Sequence, residues 1–316
     1  MKIRTSLREL LCPLLLFAAT LFSAPSSFGQ GTPWIAEPRT GSISVSYFNQ
    51  NATQFYRGSE IVKGPLAATD ANLGQNTVWI GANYALSDAV ALDLQTGWAE
   101  SYVDGAVGPS GGEENYSGLY DTHLSLTWRF ADELVDDLPS LAVRFGATVP
   151  GGYDTGYINS LGDGGTSFEW SLIAGKFGSV AGVSGEFGYR ERGSTSINTS
   201  AVGAIEGVNV DIPSEIFVNL WVFVPLGNRI RIAGNYRFSN STSGIDIGDE
   251  DFSPSRFPEL EEDRQILGGR VFADLFSGVS AYGFYGSVVG GRNTAKSTIL
   301  GFGLSVALGG GFGGGL

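Results

Sequence analysis

The chain of 316 residues contains one cysteine, Cys12, and one histidine, His123. Cys12 lies within an N-terminal leader-like stretch, so the rest of the chain has no thiol and no disulfide staples its fold. One histidine excludes a His-rich metal site and leaves no second imidazole as an alternative base. Past the first 22 residues no apolar run reaches the ~18 residues that suggest a membrane-spanning helix. Helix-period patterning is scarce, and 47 glycines are too many for a helical protein. Basic residues are in deficit, 19 against 32 acids, for a formal charge of −13. That balance argues against nucleic acid as a partner and against a seat on an anionic lipid surface.

The N-terminus reads as a secretory signal over 1–29. Lys2, Arg4 and Arg8 precede the apolar stretch Leu10 to Phe22, and Ser27-Phe28-Gly29 offers a small-residue cleavage site before Gln30. An uncleaved anchor is the competing reading, but the apolar run is shorter than the ~20 residues of a span. Losing these three bases and Glu9 takes the charge from −13 to −15. A periplasmic arm, 30–40, is expected next, then a barrel over 41–308 and a flexible Gly-rich tail, 309–316.

What the chain has in abundance is alternation. In Ser297 to Leu308, Thr298, Leu300, Phe302, Leu304, Val306 and Leu308 share one face; Gly301, Gly303 and Ser305 lie on the other. Leu124, Leu126, Trp128 and Phe130 alternate with His123, Ser125, Thr127 and Arg129. Phe168, Trp170 and Leu172 alternate with Glu169 and Ser171, and Ile230, Ile232, Tyr236 and Phe238 with Arg229, Arg231 and Arg237. Twelve such segments follow one another, each near the ~9–11 residues of a tilted barrel strand. Long connections (50–74, 101–117, 151–164, 192–213, 241–262) alternate with short ones (87–88, 131–139, 178–179, 227–228). The expectation is all-β: a transmembrane antiparallel up-and-down β-barrel of about twelve strands in a Gram-negative outer membrane, with short turns and both termini on the periplasmic side. A soluble barrel would need a second protein layer over its aromatic faces, and none is offered. Segment 214–226 is apolar on both faces, which leaves its facing open.

A charge on the lipid face costs about 2–4 kcal/mol at mid-membrane, so charged residues within the strands are expected to face the lumen. These are Arg129, Arg144, Glu169, Glu186, Arg190, Arg229, Arg231, Arg237, Arg264 and Arg270, with Asp93 and Asp121. They either line a pore that attracts polar or anionic solutes, or fill a narrow barrel with mutually satisfied ion pairs. The acidic loop 241–262 has no EF-hand spacing and reads as a solvated surface or a divalent-cation site. No metal or cofactor is implied. His123-Leu124-Ser125 is similar to the His-x-Ser pair of outer-membrane phospholipases, but no Asn-Gly adjoins Ser125 and the alternation turns both residues inward.

Gly118 to Leu126, before the strand end Arg129-Phe130, resembles a segment of the outer-membrane proteins named for the meta-pathway of phenol degradation. Phe145 to Asp154, with Pro150-Gly151-Gly152, and Leu161-Gly162-Asp163-Gly164 look like that family's strand ending in Pro-x-Gly and its Gly-Asp-Gly loop. Here Gly151 directly follows Pro150, and Tyr120 stands where the family tends to have Gly. The resemblance covers about 118–176. It implies passage of small, often hydrophobic compounds across the outer membrane and no catalytic residue. The expected function is therefore a non-enzymatic channel or transporter for small molecules, hydrophobic, aromatic or anionic. The alternatives are a lipid hydrolase using His123 and Ser125, and a structural or adhesive barrel without a pore.

Overall fold

A strand with one apolar and one polar or small face can line a tube in lipid, provided every backbone N–H and C=O finds a partner in a neighbouring strand. The computed structural model describes residues 32–63, 72–104, 115–197 and 207–309. The expected signal, 1–29, lies outside them, as does the tail beyond Gly309. In chain order the strands are β1 (Gly41–Ala52), the small hairpin β2 (Gln54–Arg57) and β3 (Glu60–Lys63), β4 (Asn72–Ala85), β5 (Val90–Asp104), β6 (Asn115–Leu119), β7 (Thr122–Ala131), β8 (Ser140–Val149), β9 (Ser167–Phe177) and β10 (Gly182–Arg192). A second small hairpin, β11 (Ser194–Ser196) with β12 (Asn209–Asp211), precedes β13 (Glu215–Leu226) and β14 (Ile230–Ser241). A 3-10 turn (Pro254–Glu259) precedes β15 (Asp263–Phe276), β16 (Val279–Arg292) and β17 (Thr298–Leu308).

The wall is a closed antiparallel barrel of twelve strands, with β6 and β7 forming one interrupted strand. It closes where β1 pairs with β17 along its length, from Gly41 opposite Leu308 to Asn51 opposite Thr298. Among the described residues each wall strand pairs with a neighbour on both sides, except that the β6 part of the interrupted strand pairs with β5 alone. The outside is apolar: Phe302 is 62% exposed, Trp170 52% and Leu304 54%. Aromatic side chains gather outside near both ends, Trp128 and Phe130 by the short turns, and Trp170 and Tyr189 by the long loops. A closed wall with that exterior is a transmembrane barrel, and it places the chain in the outer membrane.

Many inward residues are polar and paired, and several large ones stack over glycine. A Cβ on Gly301 would sit 2.3 Å from Phe48, and one on Gly303 2.5 Å from Tyr282. The small face of β17 thus exists because rings from β1 and β16 lie across it. The open question of β13 resolves: Phe217 and Trp221 are buried inside, while Leu220 and Val222 are exposed outside.

Several expectations shift. The loop expected at 50–74 contains the β2–β3 hairpin, and β1 and β4 extend into it. The continuous strand expected over 119–130 breaks at Tyr120-Asp121. Leu119 still faces Trp98, but His123 faces Gln95, so one extra residue is accommodated between them. Within the expected arm, Pro33 and Trp34 are seated in the barrel. Pro33 is fully buried beside Gly175, and the Trp34 ring stacks on Phe177 at 4.0 Å with Phe223 edge-on at 5.9 Å. The indole N–H donates to Glu133 Oε1 at 3.0 Å.

Gly301→Val should therefore cost about 1–3 kcal/mol, because Phe48 is packed and has no free volume to enter. Gly283→Ala, where an added Cβ meets nothing within 4 Å, should be neutral. Thermal loss of the folded-barrel mobility shift on gels measures both.

Candidate functional site

The lumen is divided by chemistry. On the β7–β13 side lies a buried ion-pair network. Arg144 (3% exposed) reaches Glu169 at 3.2 Å and Glu186 at 2.6 Å. Arg190 holds Glu169 at 2.7 Å and also pairs with Glu215. Ser171 Oγ and the Asn219 amide donate to the two oxygens of Glu186 at 2.6 and 2.8 Å. Glu169 and Glu186 thus each face more than one donor, which is how a buried charge is kept ionised. Asp93, on β5 near the short turn 86–89, accepts from Asn83 on β4 at 2.7 Å.

From β13 round through β14–β16 to β1 the lumen is aromatic. Phe48, Trp221, Ala233, Phe272 and Tyr282 form one packed cluster, with Trp79, Phe223, Phe284 and Ile299 against it. Phe48 and Phe284 meet at 5.8 Å, Phe272 and Tyr282 at 5.9 Å, and Trp221 and Phe223 at 5.7 Å. Phe223 then meets Trp34 in the periplasmic mouth. Arg270 is embedded in this cluster, its guanidinium 4.8 Å from the Tyr282 ring centre and 5.4 Å from Trp221 and Phe284.

Between the network and the rings lies a chamber of about 380 Å³. Its base is Phe48, Trp79, Phe284 and Ile299, and its upper wall carries Tyr120, Asp121, Arg190, Arg192, Arg237, Glu215, Glu262 and Arg264. The bulge in the β6–β7 strand brings Tyr120 and Asp121 to it together, where strict alternation would have turned one of them outward. Loop 150–166 folds over it. Tyr153 Oη donates to Asp121 Oδ1 at 2.6 Å, the Gly151 N–H to the same oxygen at 3.2 Å, and Arg192 reaches Asp163 at 2.5 Å. Gly151 is needed here because a Cβ would lie 1.8 Å from the Leu119 carbonyl. The Pro-Gly-Gly-Tyr and Gly-Asp-Gly stretches thus meet as a roof.

Of the residues expected in the lumen, Arg144, Glu169, Glu186, Arg190, Arg237, Arg264 and Arg270 surround this network and chamber. Arg129 lies at the periplasmic rim, on Asp132 at 2.8 Å and the Asp88 carbonyl at 2.7 Å. Arg231 is also near that rim, 3.1 Å from Asp274. Arg229 is a correction: it sits exposed in the turn 227–229, because β14 begins one residue later, at Ile230. Arg192 and Glu215 were not anticipated and Glu262 was expected in the acidic loop, since each stands where a strand meets a loop. His123 Nδ1 contacts Thr148 Oγ1 at 3.0 Å, and its other nitrogen lies 3.6 Å from Glu169. Ser125 Oγ has no hydrogen-bond partner among the described residues. Both face the lumen rather than lipid.

The acidic loop is partly neutralised. Arg292 donates to Asp246 at 2.6 and 2.8 Å and to Glu261 at 2.7 Å, Arg264 pairs with Glu262, and Asn293 donates to Asp246 at 2.6 Å. Among the described residues no cluster of three potential metal ligands forms. The Arg292 hydrogen bonds hold the Asp246 carboxyl below the 3.8 of a free aspartate.

Solved structures provide likenesses of fold. An outer-membrane channel from Pseudomonas putida F1 superposes with a TM-score of 0.69 at 14% identity, over 90% of this chain and 99% of that one. The translocator domain of the autotransporter NalP from Neisseria meningitidis gives 0.53 at 12% identity, over 95% of each chain. The NanC porin gives 0.50 at 7% identity, over 84% of this chain and all of that one. No family model and no curated relative matches the sequence.

Glu169→Ala leaves Arg144 and Arg190 short of a counter-charge. It should cost about 3–5 kcal/mol in denaturant unfolding of the lipid-reconstituted barrel. The Asp246 contribution to loop stability is complete above pH 3.8 and is lost as the pH falls through its lower folded value. Hydrogen exchange in 242–262 should stay slow to pH 4 and rise below it. Asp246→Asn should raise it already at neutral pH.

Proposed function

We propose that this barrel is a channel for small, predominantly apolar molecules, most simply monoaromatic compounds, crossing the outer membrane. The single observation that carries the reading is the continuity of rings from the base of the chamber, Phe48 and Phe284, through Trp221 and Phe223 to Trp34 in the periplasmic mouth. A path lined by rings offers an apolar solute successive contacts of similar strength, weak enough to leave and favourable enough to enter. The resemblance of 118–176 to the proteins named for phenol degradation supports the same class of solute. The likeness of fold to an outer-membrane channel supports a channel at the level of architecture.

A second reading draws on the ion-pair network and the seated arm, which both lie within the lumen; a barrel without a pore would be built the same way. Transport separates them. Proteoliposomes containing the full chain should take up benzyl alcohol faster than glucose, and Trp34→Gly should raise single-channel conductance at least twofold by vacating the periplasmic mouth. A barrel that passes neither solute, and whose conductance does not change in Trp34→Gly, would favour the poreless reading.

A further inference from the structure

One guanidinium in the chamber stands apart. Arg190 pairs with Glu169 and Glu215, Arg192 with Asp163 and Arg264 with Glu262. Arg270 is held among rings. Arg237 lines the same chamber from β14, yet none of the described residues gives it an ion pair or a hydrogen bond. Asp121, the lining carboxylate without an arginine in contact, spends its acceptor capacity on Tyr153 and the Gly151 N–H. Five arginines and four acids line the cavity, and Glu169 just outside that lining shares Arg190 with Glu215, so among the described residues Arg237 is the lining guanidinium that no acid contacts and no ring cluster encloses.

We infer that Arg237 is a receptor for a carboxylate, and that the chamber selects small aromatic acids over their neutral counterparts. The inference rests on the channel reading above and deepens it. An Arg fork accepts a carboxylate through two parallel hydrogen bonds, and it keeps its charge at any working pH. Beneath it, Phe48, Trp79 and Phe284 form an apolar base that suits a ring. A volume of about 380 Å³ is at the small end of small-molecule sites and holds a single-ring molecule with a few waters. The neighbouring acids do not repel the ligand's charge strongly, because three of the four are already engaged by arginines. A site for an uncharged hydrocarbon would have no use for a guanidinium without a contact partner, whose desolvation it would have to overcome.

The test is binding of benzoate and of benzyl alcohol to the full-length barrel in detergent, by calorimetry and by quenching of tryptophan emission, with acetate as the ringless anion. Wild type should bind benzoate at least tenfold more tightly than benzyl alcohol or acetate. Arg237→Gln should lose that preference; Arg237→Lys should keep part of it. Equal wild-type affinities for benzoate and benzyl alcohol would overturn the inference while leaving the channel reading intact. This comparison needs no variant to fold. Binding of neither aromatic compound, together with no benzyl alcohol uptake into proteoliposomes, would overturn both. An Arg237→Gln barrel that runs as folded and still prefers benzoate would assign the selectivity elsewhere and overturn the role of Arg237.

Discussion

Lipid offers no hydrogen bonds, and from this the rest of the structure follows. Each wall strand must give its backbone to a neighbour on both sides, which forces the β1–β17 seam and a closed wall. Closure fixes one side of every strand toward acyl chains and the other toward a narrow interior. Phe302 and Leu304 then go outside at no cost, and Arg144 and Glu169 must find each other inside. The interior is too narrow for its large side chains to lie side by side at every level, so glycines opposite Phe48 and Tyr282 make the room.

The interior resolves two demands in two places. Charges collect on the β7–β13 side, where serine, asparagine and paired guanidinium groups satisfy Glu169 and Glu186. Rings collect from β13 round to β1 and run down to the arm at Trp34. The chamber forms where the two chemistries meet, under a roof made by loop 150–166. A molecule with one ring and one acidic group matches that boundary better than either wall alone.

Strand number, closure and the facing of most strands were legible in the sequence, because alternation has a period of two and charge excludes the lipid face. Where that signal is absent the reading stops. Segment 214–226 could not be oriented since Phe217 and Trp221 are as apolar as Leu220 and Val222; only their neighbours Ala233 and Arg270 distinguish lumen from lipid. Arg229 continues the alternation of Arg231 and Arg237, yet the turn claims it. The extra residue at Tyr120-Asp121 depends on register against β5, which a single strand does not encode. Trp34 belongs to no periodic segment, so its seat depends on Phe177 and Phe223, far away in the chain. The isolation of Arg237 is a property of where the acids are placed, which the count of acids does not reveal.

The most direct measurement of the central claim uses the lack of cysteine beyond Cys12. Single cysteines carrying a fluorophore, introduced as Phe302→Cys and Leu172→Cys on the outside and Ser305→Cys and Ser171→Cys on the inside, can be tested for quenching by brominated acyl chains in reconstituted bilayers. The account predicts strong quenching at the first pair and none at the second. Quenching of the Ser305 and Ser171 positions, with the Phe302 and Leu172 positions dark to lipid, would contradict it.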